Sequence, residues 1–429
     1  MSAARTAIEA SLGTRQFIAL ISMLMALTAL AIDMMLPAFG AMRDGFGLAA
    51  DSNAVAAVVS VFLIGLGLGQ PLWGPLSDAV GRKRVLWVGL AIYIGAALGA
   101  AVAPSLGVLL LWRFLAGFGA GAVRVFTYGV VRDAYAGEQM AKVLSYIMAV
   151  FILVPVVAPS VGAIALGLGS WRWVFALFVV FALVMGLWAT RLPETLPPQR
   201  RLPLRAGRLA LAARAVLTSR FAMGLIVAQT LVFAFFASYL ASSELIIRDV
   251  FGLSAWFPLI FGGSALVLGG GVLLNPRQID RFGLRRWLRL VLSGYLVAVC
   301  GLAAIAVLTG GRPPFWLFMA GLLPVLLAHS FVIPNLNAAA MMPMGNIAGT
   351  AAAVIGSIVT LGGALLGAVI DRLFDGTVLP FTLAGLLMCL VAYSAYRWSD
   401  ARWDASAGHD LLPRAEPGDA AAMLTSDVS

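Results

Sequence analysis

The chain has 429 residues, 62% of them hydrophobic and only 11% charged, with a mean hydropathy of +0.98. A water-soluble protein of this length cannot hide so much apolar surface, so composition excludes that class and leaves an integral membrane protein. The net charge of +10 would suit nucleic acid, but the basic residues alternate with long apolar runs. That is a topology signal, and it excludes nucleic acid as the partner.

In chain order, apolar runs of about 20 residues or more, each enough to cross a roughly 30 Å hydrocarbon core as helix, predict spans at 16–39, 53–77, 85–103, 106–131, 139–166, 171–190, 220–244, 255–275, 286–309, 314–333, 346–370 and 377–397. A β-barrel is excluded, because barrel strands alternate over segments of about 10 residues and these runs do not. The fold class expected is an all-α membrane protein of twelve helices in two pseudo-symmetric six-helix bundles. Residues 1–15 form an N-terminal segment, 16–190 the first bundle, 191–219 a linker rich in Pro and Arg, 220–397 the second bundle, and 398–429 a polar tail expected to be disordered. Within the linker, the Ala/Leu/Arg stretch 206–217 predicts an interfacial helix.

Of the 29 Lys and Arg, about 22 fall in the segments that share a side with the termini. Five (Arg43, Arg172, Arg248, Arg312, Arg372) fall on the other side, and Arg113 and Arg124 lie inside a span. The positive-inside bias therefore puts both termini in the cytoplasm. The first span carries Asp33 and Pro37 and exceeds the 7–15 residues of a signal-peptide core, so it reads as an uncleaved helix. Cys300 and Cys389 both lie within apolar runs, which suggests neither a disulfide framework nor a metal site.

Charges inside a bilayer cost several kcal/mol and are functional candidates by default. At 1.5 Å per residue, Asp33 lies roughly 9 Å from the outer end of the first span and Arg113 roughly 11–12 Å from the outer end of the fourth. The two are expected to share a cavity, where substrate binding could tip the carboxylate between its charged and neutral forms. A static ion pair joining two helices is the structural alternative. Arg124 follows Arg113 by eleven residues, close to one helical face. The stripe of Arg113, Gly117, Arg124 and Tyr128 is therefore expected to face water or the bundle interior. Further cavity candidates are Gln229, Phe233, Phe236 and Tyr239 in the seventh span and Asn335 and Asn337 in the tenth. His329 reads as a satisfied interior histidine.

Between the second and third spans runs Gly74-Pro-Leu-Ser-Asp78-Ala-Val-Gly81-Arg82-Lys83-Arg84. A weaker copy, Asn275-Pro-Arg277-Gln-Ile-Asp280-Arg281-Phe-Gly283-Leu-Arg285-Arg286, recurs 202 residues later. An acid–turn–base cluster at matching places in two halves points to a transporter with internal repeats. Gly74, Asp78, Gly81 and Arg82, with Asp280, Arg281 and Gly283, are expected to form a conformational gate. The fifth span carries Pro155, Ala158, Pro159 and Gly162, prolines that bend a membrane helix and small residues that admit a close neighbour.

These residues resemble the major facilitator superfamily, and within it the twelve-span drug:proton antiporters of the Bcr/CflA and chloramphenicol-resistance group. The likeness covers 16–397. Gly74-x-Leu76-x-Asp78-x-x-Gly81-Arg82-Lys83 matches the family loop between helices two and three, with Ala79 where an Arg is usual. Arg113-x-x-x-Gly117-x-Gly119 matches the fourth-helix motif, with Ala116 for its common Gln. Pro155 to Gly162 matches the antiporter motif of helix five, and Asp33-Met-Met-Leu36-Pro37 resembles the group's first-helix motif. Arg132-Asp133 and Pro193-Glu194-Thr195 match as well. The resemblance implies proton-driven efflux of small lipophilic drugs, multidrug or phenicol type, from the bacterial inner membrane, by a monomer whose only energy source is the proton gradient and which needs no cofactor.

An ATP-driven pump is disfavoured, since neither Lys83 nor Lys142 sits in a G-x-x-x-x-G-K-[ST] loop. An enzyme is disfavoured because H-E-x-x-H and G-x-S-x-G are both missing. A proton-coupled or facilitative carrier of a small metabolite, such as a sugar or amino acid, is the serious alternative, because one fold supports either.

Overall fold

The computed structural model describes residues 3–49, 52–135, 137–201 and 206–403. Among these, twelve helices are long and apolar enough to cross a membrane: α1 Gly13–Gly45, α2 Ala54–Val80, α3 Arg82–Ala101, α4 Leu106–Ala134, α5 Lys142–Leu166, α6 Arg172–Ala189, α7 Arg220–Val250, α8 Ser254–Phe282, α9 Leu284–Leu308, α10 Phe315–Met344, α11 Thr350–Arg372 and α12 Leu379–Asp400. With an even number of crossings, α1 starts and α12 ends on one face, here the terminal face; the other is the far face. The interfacial stretch expected at 206–217 is a helix at Ala206–Thr218. The tail beyond 403 lies outside the described residues.

The helices overrun the apolar runs at several ends, for a physical reason. Asp78 closes α2, and Asp280 and Arg281 close α8, because a helix continues into water as long as its polar residues are solvated, whereas a hydropathy window stops at the first charge. The first span is the longest, since the chain rewinds at Pro37. Its α-helix ends at Asp33, a tighter turn follows at Leu36–Ala38, and a short helix runs over Phe39–Gly45. In α7 the last turn, Ile246–Val250, widens into a π-turn, a feature frequent at functional sites.

Close approach between helices rests on small residues, as it must where lipid supplies no hydrophobic drive between apolar surfaces. In the first half, a side chain on Gly65 would meet the Phe114 carbonyl, and one on Gly117 would meet the Phe62 carbonyl, so α2 and α4 touch backbone to backbone. Gly117 is therefore a packing contact, not part of a wet stripe. α5 presents Gly162 to the Met34 carbonyl of α1, with Ala158 fully buried one turn earlier. The motif of helix five thus serves tight packing, and the helix is continuous through Pro155 and Pro159.

The two halves meet along two seams. In one, α2 lies on α11: Ser357 Oγ donates to the Gly67 carbonyl at 2.7 Å, and Gln70 Nε2 donates to Thr360 Oγ1 at 3.4 Å. In the other, α8 approaches α5 where Gly262 faces the Val156 carbonyl. Replacing Gly162 with Leu should force α5 away from α1. Overpacking of this kind costs about 1–3 kcal/mol, so detergent-solubilised protein should unfold at lower temperature; an unchanged midpoint would show that the contact is not tight.

Candidate transport site

Two observations fix Arg113. It is 1% exposed, deep in the first half. Its Nη2 donates to the Ala31 carbonyl of α1 at 2.8 Å, its Nε to the Val58 carbonyl of α2 at 3.2 Å, and its guanidinium lies 4.5 Å from the Phe62 ring. The Ala31 carbonyl is free for a local reason. Met35 N–H, its ordinary helical partner, bonds instead to Ile32 O at 3.3 Å as α1 tightens before Pro37. A buried carbonyl without a partner is costly, and Arg113 answers it.

Asp33 lies two residues further along α1, 4% exposed. The expected Asp33–Arg113 pair is not made: among the described residues no ion pair joins Asp33 to any base. Arg113 points to backbone, whereas Asp33 lies within electrostatic reach of Tyr239 on α7, in the other half. A guanidinium already engaged by two carbonyls and a ring face has little left for a carboxylate, which is the physical reason the pairing fails.

Around Tyr239, an aromatic group assembles from the second half. Tyr239 stacks on Phe261 at 5.9 Å between centroids, and Phe236 stacks on His329 at 4.3 Å. His329 Nδ1 has no hydrogen-bond partner, so it is not the satisfied histidine expected; Gln229 Oε1 is likewise buried without a donor. A cavity of about 10 Å³ is lined by Phe236, Tyr239, Tyr295 and His329 with Phe235 and Phe381. Phe233 packs partly buried against the core. Arg124 is half-buried and Tyr128 is exposed, while Arg113 on the same helix is enclosed. The four-residue stripe therefore does not share one environment. Asn335 is also not a cavity residue: it donates to Asn275 Oδ1 at 2.9 Å and to the Phe331 carbonyl at 2.8 Å, tying α10 to α8. Asn337 is exposed.

The loop between α2 and α3 builds a closed ionic cluster. Gly81, at φ +105°, turns the chain where a side chain would be strained. Arg82, 3% exposed, bonds Asp78 at 2.5 Å, Asp133 at 3.0 Å and Ser77 Oγ at 3.1 Å. Glu194 accepts from the Arg82 and Lys83 main-chain N–H groups at 3.0 and 3.1 Å, a carboxylate on the N-terminus of α3. Lys83 Nζ donates to the Thr190 and Leu192 carbonyls at the end of α6. Thr195 Oγ1 completes the cluster on Asp133 at 3.1 Å. Arg132 lies 3.6 Å from Asp78, supplying a second base where Ala79 has none. Gly74 faces Ala353 of α11 across the seam.

The family model of the Major Facilitator Superfamily matches residues 19–367. The chain belongs to the Major Facilitator Superfamily. It groups with proteins named for drug resistance, as its motifs resemble. It is 28% identical over 386 residues to a bicyclomycin resistance protein homolog of Haemophilus influenzae, covering 88% of this chain and 95% of that one. It is 31% identical over 351 residues to a chloramphenicol resistance protein of Pseudomonas aeruginosa, covering 80% of each. In fold it is similar to a D-xylose-proton symporter structure, with a TM-score of 0.69 at 16% identity over 88% of this chain and 95% of that one.

In this superfamily member the second copy of the loop is built differently. Gly283, at φ +74°, repeats the turn, but Asp280 and Arg281 are exposed, and Arg281 rests on the Phe282 ring. The ion pairs expected of them go elsewhere: Asp400, at the end of α12, takes Arg285 at 2.8 Å and Arg289 at 2.9 Å. Both clusters thus tie the loop after a half's second helix to the end of its sixth.

The far face holds residues that the sequence did not single out. Arg43 crosses to Asp249 of α7 at 3.0 Å, and Arg248 reaches Glu244 at 3.4 Å and Asp249 at 2.8 Å. Asp371, at the end of α11, collects Ser60, Ser238 and Ser242. The signal available was the pair Ser238 and Ser242, four residues apart on one face of α7.

Arg82→Ala leaves Asp133 and Asp78 without their buried base. Removing one partner of a buried pair costs about 3–5 kcal/mol, so thermal stability should drop sharply. Arg281→Ala, at the matching exposed site, should change it by under about 0.5 kcal/mol. Equal effects would show that the two copies carry equal load.

Proposed function

We propose that the protein is a proton-coupled antiporter that exports small amphipathic drugs, of multidrug or phenicol type, across the bacterial inner membrane by alternating access. The positive-inside bias supports a cytoplasmic terminal face, which makes the far face the outer one. The observation that carries the reading is Asp33: a carboxylate inside a span, buried, with no cation paired to it among the described residues, at the boundary with the second half. Such a group is costly as an anion and readily held as a neutral acid, so it can bind a proton from one side and release it to the other.

The likeness to bicyclomycin and chloramphenicol resistance proteins supports export of drugs over uptake of a metabolite. The His329 ring stacked on Phe236, with Tyr239 next to it and Nδ1 unbonded among the described residues, suits a neutral amphiphile with a ring and a polar group. The cycle then runs by rocking of the halves along the α2–α11 and α5–α8 seams. The far-face bonds (Arg43–Asp249, Asp371–Ser60) part as the outer mouth opens. The ionic cluster at Arg82 stays inside the first half and keeps it rigid. Arg113 is a positioning residue, holding α1 and thereby Asp33.

In a pump-deficient host, the wild-type chain should raise resistance to phenicol-type drugs. Asp33→Asn should abolish that gain while the protein is still inserted at wild-type level. Resistance retained by Asp33→Asn would remove this carboxylate from the mechanism.

A further inference from the structure

Asp371 is a second in-span carboxylate, with a different setting from Asp33. It is 5% exposed. Its Oδ1 accepts from Ser238 Oγ at 2.6 Å and Ser242 Oγ at 2.8 Å, both on α7 of the second half. Its Oδ2 accepts from Ser60 Oγ at 3.3 Å, on α2 of the first half. Its main-chain carbonyl accepts from the Asn53 side-chain amide, also at the start of α2. From the elements packed on it, then, Asp371 faces three hydroxyls and one amide. Among the described residues no Arg, Lys or His lies within ion-pair distance, and Arg372 beside it in the chain is exposed.

Three donors around one carboxylate, with no cation, make a particular kind of site. Hydroxyl bonds offset part of the cost of burying the charge, and the remainder is removed by adding a proton. Protonation also changes the bonding, because a carboxylic acid turns one oxygen from acceptor to donor. The hydroxyl bonded to that oxygen must then either let go or turn to accept the new proton. Ser60 holds the longest bond of the three and is the hydroxyl contributed by the first half.

We infer that Asp371 is a second proton site of this protein, and that protonation there unlatches α2 from α11 at the outer end. A proton from outer water adds to Oδ2 and forms an O–H bond. The Ser60 hydroxyl loses its acceptor and turns back to its own helix. Ser238 and Ser242 keep Oδ1, so Asp371 stays with the second half while the halves part. Acid on the outer side opens the mouth and alkali closes it. The protonation itself stands apart from the antiport reading; a consequence for stoichiometry, two protons per drug, rests on it.

Infrared difference spectra of the full chain in lipid bilayers, titrated with pH in the absence of drug, test the proton site directly. A carboxyl C=O band should titrate in the wild type and in Asp33→Asn, and one such component should vanish in Asp371→Asn. Spin labels on α2 and α11 near the outer end should move apart on acidification in the wild type. In Ser60→Ala, a variant that deletes the carboxylate's bond to the first half and leaves the Asn53 amide on the Asp371 carbonyl, they should stand further apart than in the wild type, by the same distance at all pH. An infrared spectrum unchanged by Asp371→Asn, a label distance independent of pH, or a band that responds to sodium at fixed pH would each overturn the inference. Loss of the band in Asp371→Asn without any drug export by the wild type would support the site and sink the antiport reading. If Asp371→Asn fails to fold, the Ser60→Ala distances decide alone.

Discussion

Hydrocarbon offers a charge neither water nor counter-ion, so each ionised group within a span must be answered by the protein or exist as a neutral form. The arrangement of this protein follows from how its buried charges meet that demand. Arg113 is answered by backbone: a carbonyl freed where α1 tightens ahead of Pro37, a second on α2, and the face of Phe62. Arg82 is answered by two carboxylates and a hydroxyl. Among the described residues, no base pairs with Asp33 or Asp371. Arg113 and Arg82 are pinned while the two acids are not paired with a base, the distribution on which the proposed proton coupling rests.

The same division separates what holds still from what moves. The bonds of Arg82, Glu194, Lys83 and Asp133 run between helices of the first half, and those of Asp400 with Arg285 and Arg289 run within the second. They make each half a body. Across the halves, by contrast, the joins are short-reach and replaceable: a serine to a glycine carbonyl, a glutamine to a threonine, one ion pair at Arg43, and the serine bond of Asp371. Breaking the hydrogen bonds among these costs little net free energy, since each is worth about 1 kcal/mol. An alternating-access cycle needs interfaces of that kind.

Much of the fold was legible in the sequence, because length and hydropathy act on whole helices. All twelve spans lie where the apolar runs put them, and at Gly45, Val80, Val250 and Phe282 charged residues continue a helix past the apolar window. The tenth helix also outruns its expected end at 333, to Met344, through Asn335 and Asn337 and without a charge. The Gly81 turn and its acid and base were also legible, since only glycine takes that backbone turn without strain. What escaped was pairing. Helical periodicity placed Asp33 and Arg113 at similar depth, but depth says nothing about azimuth, and the guanidinium turned to a carbonyl that no sequence pattern marks as free. Asp280 escaped for the mirror reason: the motif's repeat carries the residue but not the buried partner, a role taken by Asp400 more than a hundred residues away. Asp371 lay one residue past an expected span end, and its three serines sit on two other helices.

The central claim, that a proton taken up by the carboxylate of the first helix drives solute outward, is tested most directly in everted membrane vesicles containing the full chain. With the interior acidified by respiration, addition of a transported phenicol should release protons and partly collapse the acid gradient, with drug accumulating inside. A protonophore should abolish that accumulation. Drug accumulation that persists with the protonophore present, or that proceeds without proton release, would contradict the account.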